Sequence, residues 1–256
     1  MNFLIVGCSN GVELHHVFRN VFSSSRSYFE PITDSVKNQI WEDDRDRYIN
    51  LSAAGSGNRY ITNSMQEYIT CHGAPDYVYL QYSGLNRIDL PCAKQDPLID
   101  YEFQTETKFT NWIHSGGMLG SWLDNRQCQK LFTHLYNNND QTNIVTQNLI
   151  EIANGINFLK CHKIPFNWST YYDYTNPPNS ETTQDGKLDT TTQKIYANII
   201  DESNKIQSCI VNHIVSKNLT WLEQDNVHWK YEGGIDWLND FRNQFIIRDI
   251  HAARQK

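Results

Sequence analysis

The chain has 256 residues, enough for one large α/β domain or two small ones. A net charge of −7 and the absence of any Lys/Arg cluster argue against nucleic acid as a partner, because binding to a phosphate backbone needs clustered cations. No segment reaches the roughly 20 apolar residues of a membrane span, and the N-terminal apolar run is too short for a signal peptide. We therefore expect a soluble, cytoplasmic protein without a membrane partner, with virion association as the open alternative.

The cysteine pattern bears on metal binding and on the redox compartment. Six cysteines are scattered along the chain, without a C-x-x-C pair or the spacing of zinc ligands. This distribution is typical of reduced thiols in a protein without a zinc site.

The chain opens with a predicted strand, a glycine turn and a helix. Four apolar residues (3–6) lead into the turn Gly7-Cys8-Ser9-Asn10-Gly11, and apolar residues recur at helical spacing over 12–22. This order places Ser9 beside a helix N-terminus, where backbone N–H groups are unpaired. Ser9 is either a nucleophile or only the N-cap of the helix. Cys8 is the rival nucleophile, although neighbouring strand residues point to opposite faces, so only one of the two can face the site.

Two further strand units follow a polar segment over 29–46 that is predicted to be irregular. Residues 47–51 form a strand that leads to a loop of small residues and a helix over 59–71. Residues 76–83 form a third strand, and they are followed by Gly84-Leu-Asn-Arg-Ile-Asp89. Strands that alternate with helices predict a parallel sheet, whose ligands bind at the carboxyl ends of the strands. The loops around Ser9, Gly55 and Asn86 are therefore expected at one edge.

The second half continues the alternation. Residues 90–138 contain short amphipathic pieces, which we interpret as crossover helices with a partial lid or insertion. Further along the chain, the pattern predicts a helix over 143–160, a strand over 164–171, a loop over 176–189, a helix over 194–215 and a final helix over 235–250.

A histidine and an aspartate precede the final helix. Asp225 lies three positions before His228, close enough to accept the Nδ1–H of the imidazole and leave Nε2 as a base. Ser9, His228 and Asp225 could thus supply a nucleophile, a base and an orienting acid for acyl transfer. The oxyanion would be held by backbone N–H groups of Ser9 and Gly55 and by the side-chain amide of Asn86.

These residues together resemble the SGNH hydrolases, also called the GDSL esterase/lipase family. The turn Gly7-Cys8-Ser9-Asn10 is similar to the family's first block, Gly-Asp-Ser-x, and Asn50-Leu-Ser-Ala-Ala-Gly55 is similar to the second. Gly84-Leu85-Asn86 corresponds to the Gly-x-Asn of the third block, and Asp225-Asn-Val-His228 to the terminal Asp-x-x-His. The four blocks occur in the family's order and span residues 1 to about 240.

The resemblance implies a single domain over 1–256 with a three-layer α/β/α fold around a central parallel sheet, the flavodoxin-like SGNH hydrolase fold. It also implies serine esterase chemistry without a metal or organic cofactor. Two positions depart from the family pattern: Cys8 replaces the aspartate before the nucleophile, and Arg87 replaces the aspartate after the third-block Asn. Gly57 competes with Gly55 as the oxyanion donor, and Trp229 is the aromatic residue that we expect to line the pocket.

Three functions remain open from the sequence. The first is a serine esterase that hydrolyses a small acyl ester, for which a carbohydrate alcohol is favoured by the family's range and by the polar chain rich in Trp and Tyr. The second is an acyltransferase that uses the same site and passes the acyl group to a sugar hydroxyl. The third is a non-catalytic carbohydrate-binding or virion-associated module on the same fold.

Overall fold

A computed structural model describes residues 1–8, 39–42, 47–53, 55–92, 105–106, 111–118, 126–175, 188–219 and 231–246. The strands are β1 (Asn2–Gly7), β2 (Gln39–Glu42), β3 (Arg47–Asn50), β4 (Tyr77–Tyr82), β5 (Asp89–Cys92), β6 (Thr105–Glu106), β7 (Asn111–His114) and β8 (Phe166–Thr170). The helices are α1 (Asn58–His72), α2 (Ser115–Met118), α3 (Arg126–Asn138), α4 (Gln141–Cys161), α5 (Thr190–Ile199), α6 (Ile210–Ser216) and α7 (Tyr231–Phe241). A 3-10 turn, Arg242–Gln244, follows α7.

The main sheet has the strand order β2-β3-β1-β4-β8. Strands β3, β1, β4 and β8 are parallel, and β2 runs antiparallel along one edge. The structure therefore confirms the predicted parallel sheet and a mixed α/β fold. The irregular conformation predicted for 29–46 is wrong over residues 39–42, which form strand β2. The sequence of β2 gives little indication of a strand, and its extended conformation depends on its pairing with β3.

Helices cover both faces of this sheet. One face carries Leu4, Val6, Val78 and Leu80, which pack with the buried residues of α1 and α4. The other carries Phe3, Ile5, Tyr77 and Tyr79, which pack with α6 and α7. This alternation along β1 and β4 follows from the two-residue repeat of a strand, and it is compatible with three layers. In the ranges given above, no helix is both long and apolar enough to cross a membrane.

A second, antiparallel sheet lies between β4 and α3 in the chain. Its strand order is β5-β7-β6, and β5 begins soon after β4 ends, so this small sheet adjoins the edge at which the parallel strands terminate. Its Trp112 packs edge-to-face on Tyr60 of α1, with ring centroids 6.0 Å apart. Ile113 and Phe132 form a small core between this sheet and α3. Strands therefore occupy part of 90–138, where we expected crossover helices; the lid function remains a prediction.

The predicted helices differ from the observed ones mainly near the C-terminus. The helix over 143–160 is confirmed as α4, and the strand over 164–171 is confirmed as β8. The single helix over 194–215 is wrong, because α5 and α6 are separate. Between them Lys205 forms a parallel bridge with Trp168, and the Ile206 N–H donates to the Trp168 carbonyl (2.8 Å), which adds a short extended segment beside β8. The final helix starts earlier than predicted and ends at Phe241.

Candidate active site at the carboxyl edge of the sheet

Contacts at the carboxyl edge of the parallel sheet join the end of β1 to the loops after β3 and β4. The Gly7 carbonyl, at the end of β1, accepts a hydrogen bond from the Ala53 N–H (3.0 Å) and another from the Ser56 hydroxyl (3.2 Å). Arg87, in the loop after β4, donates from Nη1 to the Ser56 carbonyl (3.1 Å). The described parts of the first two sequence blocks are thus in direct contact, and Arg87, the residue after the third block, contacts Ser56, the residue after the second.

Gly55 lies at the tightest point of the loop after β3. It is buried and has a φ of +75°, a conformation that favours glycine. No described residue accepts a hydrogen bond from its N–H. The competing Gly57 differs, because its N–H donates to Asp89 Oδ1 (2.8 Å). Of the two glycines, Gly55 is therefore the one whose N–H meets no acceptor among the described residues.

The loop after β4, which carries Asn86, is held by side chains from several helices. Asn58 of α1 accepts from the Ser83 N–H (2.7 Å) through Oδ1 and donates to Asn148 Oδ1 (3.1 Å) through Nδ2. Tyr136 of α3 donates its hydroxyl proton to the Asn86 carbonyl (2.8 Å). These bonds fix the backbone on which the Asn86 side chain is mounted. The predicted oxyanion residues Gly55 and Asn86 both lie at this edge.

A buried aspartate–histidine pair lies next to the Gly55 loop. Asp89 Oδ1 accepts from the Gly57 N–H and from His114 Nδ1 (2.8 Å), and Oδ2 accepts from the Tyr60 N–H (2.9 Å). Its side chain is 0% exposed and that of His114 is 5% exposed. An ionised carboxylate only accepts, so Nδ1 of His114 carries the proton in this contact. Burial, reinforced by the Asp89 carboxylate, raises the pKa of the Tyr60 phenol, which donates to the Leu51 carbonyl (2.9 Å).

Buried polar atoms without hydrogen-bond partners are concentrated at this edge. Gln81 of β4 is paired in register with Gly7, and its Nε2 has no hydrogen-bond partner among the described residues. The buried hydroxyls of Ser83 and Ser52 likewise meet no partner in the described part of the chain. Cys8 is buried, and its thiol contacts Gln81 Oε1 at 3.8 Å. Because an unpaired buried polar group costs about 1–3 kcal/mol, such groups are expected chiefly where they serve a function or meet a ligand.

The remaining predicted site residues, Ser9, Asp225, His228 and Trp229, lie outside the described residues. In the chain, the described helices α6 and α7 precede and follow the segment that contains Asp225 and His228. The first turn of α6 lies beside the end of β8, at the carboxyl edge, where the Val211 N–H donates to the Tyr171 carbonyl (3.4 Å).

Helices α6 and α7 run in the same direction. His213 of α6 contacts Asp236 of α7, and Lys217, one turn later, contacts Asp240, one turn after Asp236. α7 therefore also begins on the side of the carboxyl edge, and His228 precedes its first residue by three positions.

One group of side chains has the composition of a metal site. His213, Asp236 and Asp240 place ligand atoms within 4.8 Å of one another on the outer side of α6 and α7. The Lys217 ammonium, however, already donates to both carboxylates. The group is therefore an ion-pair cluster between two helices.

Sequence reasoning missed Asp89 and His114 as parts of this edge. They are 25 residues apart and share no motif spacing, so their pairing depends on the strand pairing of β5 with β7. The one local signal is Gly57 at the N-cap of α1, a position where a side chain that accepts from the helix is usual.

Comparison with known proteins gives no match among family models, curated proteins or solved structures.

Proposed function

We propose that the protein is a serine esterase of the SGNH type. The strand order of the parallel sheet supports this proposal, because the second, first, third and fourth parallel strands of the chain lie side by side, as in the flavodoxin-like arrangement. In that order the connection after β1 leads to β3 on one side of the sheet, and the connection after β4 leads to β8 on the other. The crevice that results lies at the carboxyl ends of β1 and β4, where Gly7 and Gln81 are paired.

The observation that carries the proposal is the Gly55 turn. Its N–H is buried at the carboxyl edge and bonded to no described residue, and the loop is held to the end of β1 by the contacts of Ala53 and Ser56 with Gly7. A backbone N–H that is fixed in advance and left unbonded is what an oxyanion hole needs, because it need not reorganise when charge develops.

The chemistry follows the four blocks. Ser9 attacks the ester carbonyl while His228 takes its proton, and Asp225 orients the imidazole. The negative charge of the tetrahedral intermediate is held by the N–H groups of Ser9 and Gly55 and by the Asn86 amide. The alcohol leaves with the proton from His228, and His228 then activates the water that releases the acid from Ser9.

A small acyl group on a polar alcohol such as a carbohydrate is the proposed substrate. The unpaired polar atoms of Gln81, Ser83 and Ser52 support a polar ligand, because they offer hydrogen bonds that an apolar chain cannot use. Trp229 is proposed to line the same pocket beside His228.

Hydrolysis of a short-chain p-nitrophenyl ester by the full chain tests the proposal. Ser9→Ala and His228→Ala are each expected to lower kcat by about 10³-fold or more. The nucleophile and its base act together, so loss of either one removes the function of both. Ser203→Ala and His134→Ala are matched controls on exposed positions of a turn and of α3, and wild-type rates are expected for both. Equal rates in all five proteins would overturn the mechanism.

The same experiment separates the other two functions. With a sugar added, a hydrolase releases only free acid, whereas an acyltransferase yields the acylated sugar. A non-catalytic module would leave Ser9 unlabelled by a fluorophosphonate probe in the folded protein.

A further inference from the structure

We infer that Asp89, held in place by His114, is a positioning residue for the Gly55 N–H. The inference rests on the proposed function for its catalytic meaning and on described contacts for its geometry. It assigns to the small antiparallel sheet the task of fixing one wall of the oxyanion hole.

The start of α1 has no cap of its own. Gly57 is the N-cap residue and has no side chain to accept from the first turn, whereas α4 and α5 are capped locally by Asp140 and Asp189. Asp89 takes this role from 32 residues away, because its two oxygens accept from the N–H groups of Gly57 and Tyr60. A helix N-terminus favours a negative charge at this place.

The Gly55 turn lies between two fixed points. On its N-terminal side the Ala53 N–H is bonded to the Gly7 carbonyl, and the Ser56 hydroxyl reaches the same oxygen. On its C-terminal side the Gly57 N–H is bonded to Asp89 (2.8 Å). Removal of the Asp89 contact loosens one end of this turn, and the direction of the Gly55 N–H is then fixed less closely.

The short helix α2, which follows the small sheet, makes a second contact with the turn. A Cβ added to Gly116, in α2 directly after β7, would lie 2.5 Å from the Gly55 carbonyl oxygen and 3.0 Å from the Arg87 guanidinium. The backbone at Gly116 therefore lies close to the Gly55 carbonyl. Asp89 begins strand β5, and Gly116 lies in the helix that directly follows its partner β7, so the two contacts come from adjoining elements.

His114 completes the surroundings of the Asp89 carboxylate. A fully buried carboxylate is stable only when its oxygens are hydrogen-bonded, and His114 Nδ1 is the donor that is neither a backbone group nor part of α1. The imidazole packs edge-to-face on Tyr60, with ring centroids 4.9 Å apart, which sets its orientation. The pair thus links β7 to α1 through one side chain of β5.

Three variants test the assignment, with a fourth as control. Asp89→Asn keeps the shape but turns one acceptor oxygen into an N–H₂ group, which opposes at least one of the three donors. His114→Ala removes the third donor, and His114→Asn restores an N–H close to the place of Nδ1. Asp140→Asn makes the same change at a local, exposed helix cap.

Hydrolysis is measured per active site, with fluorophosphonate labelling of Ser9 used to count the folded enzyme. We expect Asp89→Asn and His114→Ala to lower kcat about 10- to 100-fold with KM little changed. The reason is that the oxyanion donor stabilises charge that develops only in the transition state, so its displacement does not weaken substrate binding. His114→Asn is expected to recover most of the loss, and Asp140→Asn to match the wild type. A purely structural role would reduce the number of labelled sites and leave kcat per site unchanged, and that result would overturn the inference.

Amide hydrogen exchange at residues 55–57, followed by NMR, gives a readout that does not depend on activity. Exchange in Asp89→Asn is expected to be at least about 10-fold faster than in the wild type and in Asp140→Asn. Unchanged exchange overturns the inference even in an active enzyme. If the wild type neither hydrolyses the ester nor reacts with the probe, the proposed function fails, and the exchange rates still decide whether Asp89 fixes the turn.

Discussion

Two histidine–aspartate pairs with the same separation occupy different surroundings in this protein. His114 and Asp89 meet at 2.8 Å beside the Gly55 turn, where their side chains are 5% and 0% exposed. His213 and Asp236 also meet at 2.8 Å, between α6 and α7, with side chains 4% and 41% exposed. In both pairs the histidine is buried, so the difference lies in the carboxylate.

That difference determines what each pair can do. The Asp89 carboxylate is cut off from water and depends on three protein donors, so its loss leaves buried groups unsatisfied. The Asp236 carboxylate shares the Lys217 ammonium with Asp240 and remains accessible to water, which can replace either partner. The first pair fixes a backbone turn, whereas the second only joins two helices at the surface.

The largest effect is expected from removal of the buried carboxylate. Asp89→Ala should lower the free energy of unfolding by about 3–5 kcal/mol, because it leaves His114 and the backbone N–H groups of Gly57 and Tyr60 without this acceptor. Asp236→Ala should cost only about 0.5–1 kcal/mol, as exposed ion pairs do. Urea unfolding at neutral pH measures both. Similar losses of unfolding free energy in the two variants would show that burial of the carboxylate does not explain the difference between the two pairs.

A smaller effect is expected at Gly57, which gives Asp89 its access to the helix end. An added Cβ would lie 2.8 Å from Asp89 Oδ2 and 3.0 Å from the Arg87 Cβ, so Gly57→Ala should cost about 1–3 kcal/mol through overpacking. Its φ of −101° suits any residue, so the cost is steric. The double variant with Asp89→Ala is the control, because the clashing oxygen is then gone. Strict additivity of the two changes would contradict this explanation.

The smallest effect concerns pH and the exposed pair. Hydrogen bonds from Lys217 and then from His213 lower the pKa of Asp236. A carboxyl with a lower pKa in the folded state stabilises the fold above its unfolded pKa and loses that contribution as the pH falls through the folded pKa. Stability should therefore decline from about pH 5 downwards, and less steeply in Asp236→Asn than in the wild type. Equal slopes, or a difference that survives about 1 M salt, would contradict a screened surface pair.

The parallel sheet could be predicted because its signals are local. Each of three elements has its own apolar pattern: the apolar runs of β1 and β4 and the long apolar stripe of α4. The alternation of strands with helices then predicts that the strands are parallel. The break between α5 and α6 could not be predicted, because the chain there has helical periodicity and leaves the helix only to pair Lys205 with Trp168. Tertiary pairing overrode local propensity.

The candidate site was likewise predictable where its residues follow predicted strands, and not where it depends on long-range strand pairing. Gly55 and Asn86 follow strands that end at one edge, so their neighbourhood follows from sheet geometry. The Asp89–His114 pair requires the antiparallel pairing of β5 with β7, for which the segment over 90–138 gives no clear period. The resemblance to SGNH hydrolases and the roles of Ser9, Asp225, His228 and Trp229 stay predictions.

The central position of β1 has a consequence for synthesis of the protein. β1 lies between β3 and β4, both of which follow it in the chain, so its backbone lacks a second partner until residue 82 has left the ribosome. Its four consecutive apolar residues (3–6) form the kind of uncharged, strand-prone segment that pairs with other chains while exposed. Slow translation between β1 and β4 would therefore favour aggregation of the nascent chain, whatever the stability of the finished fold.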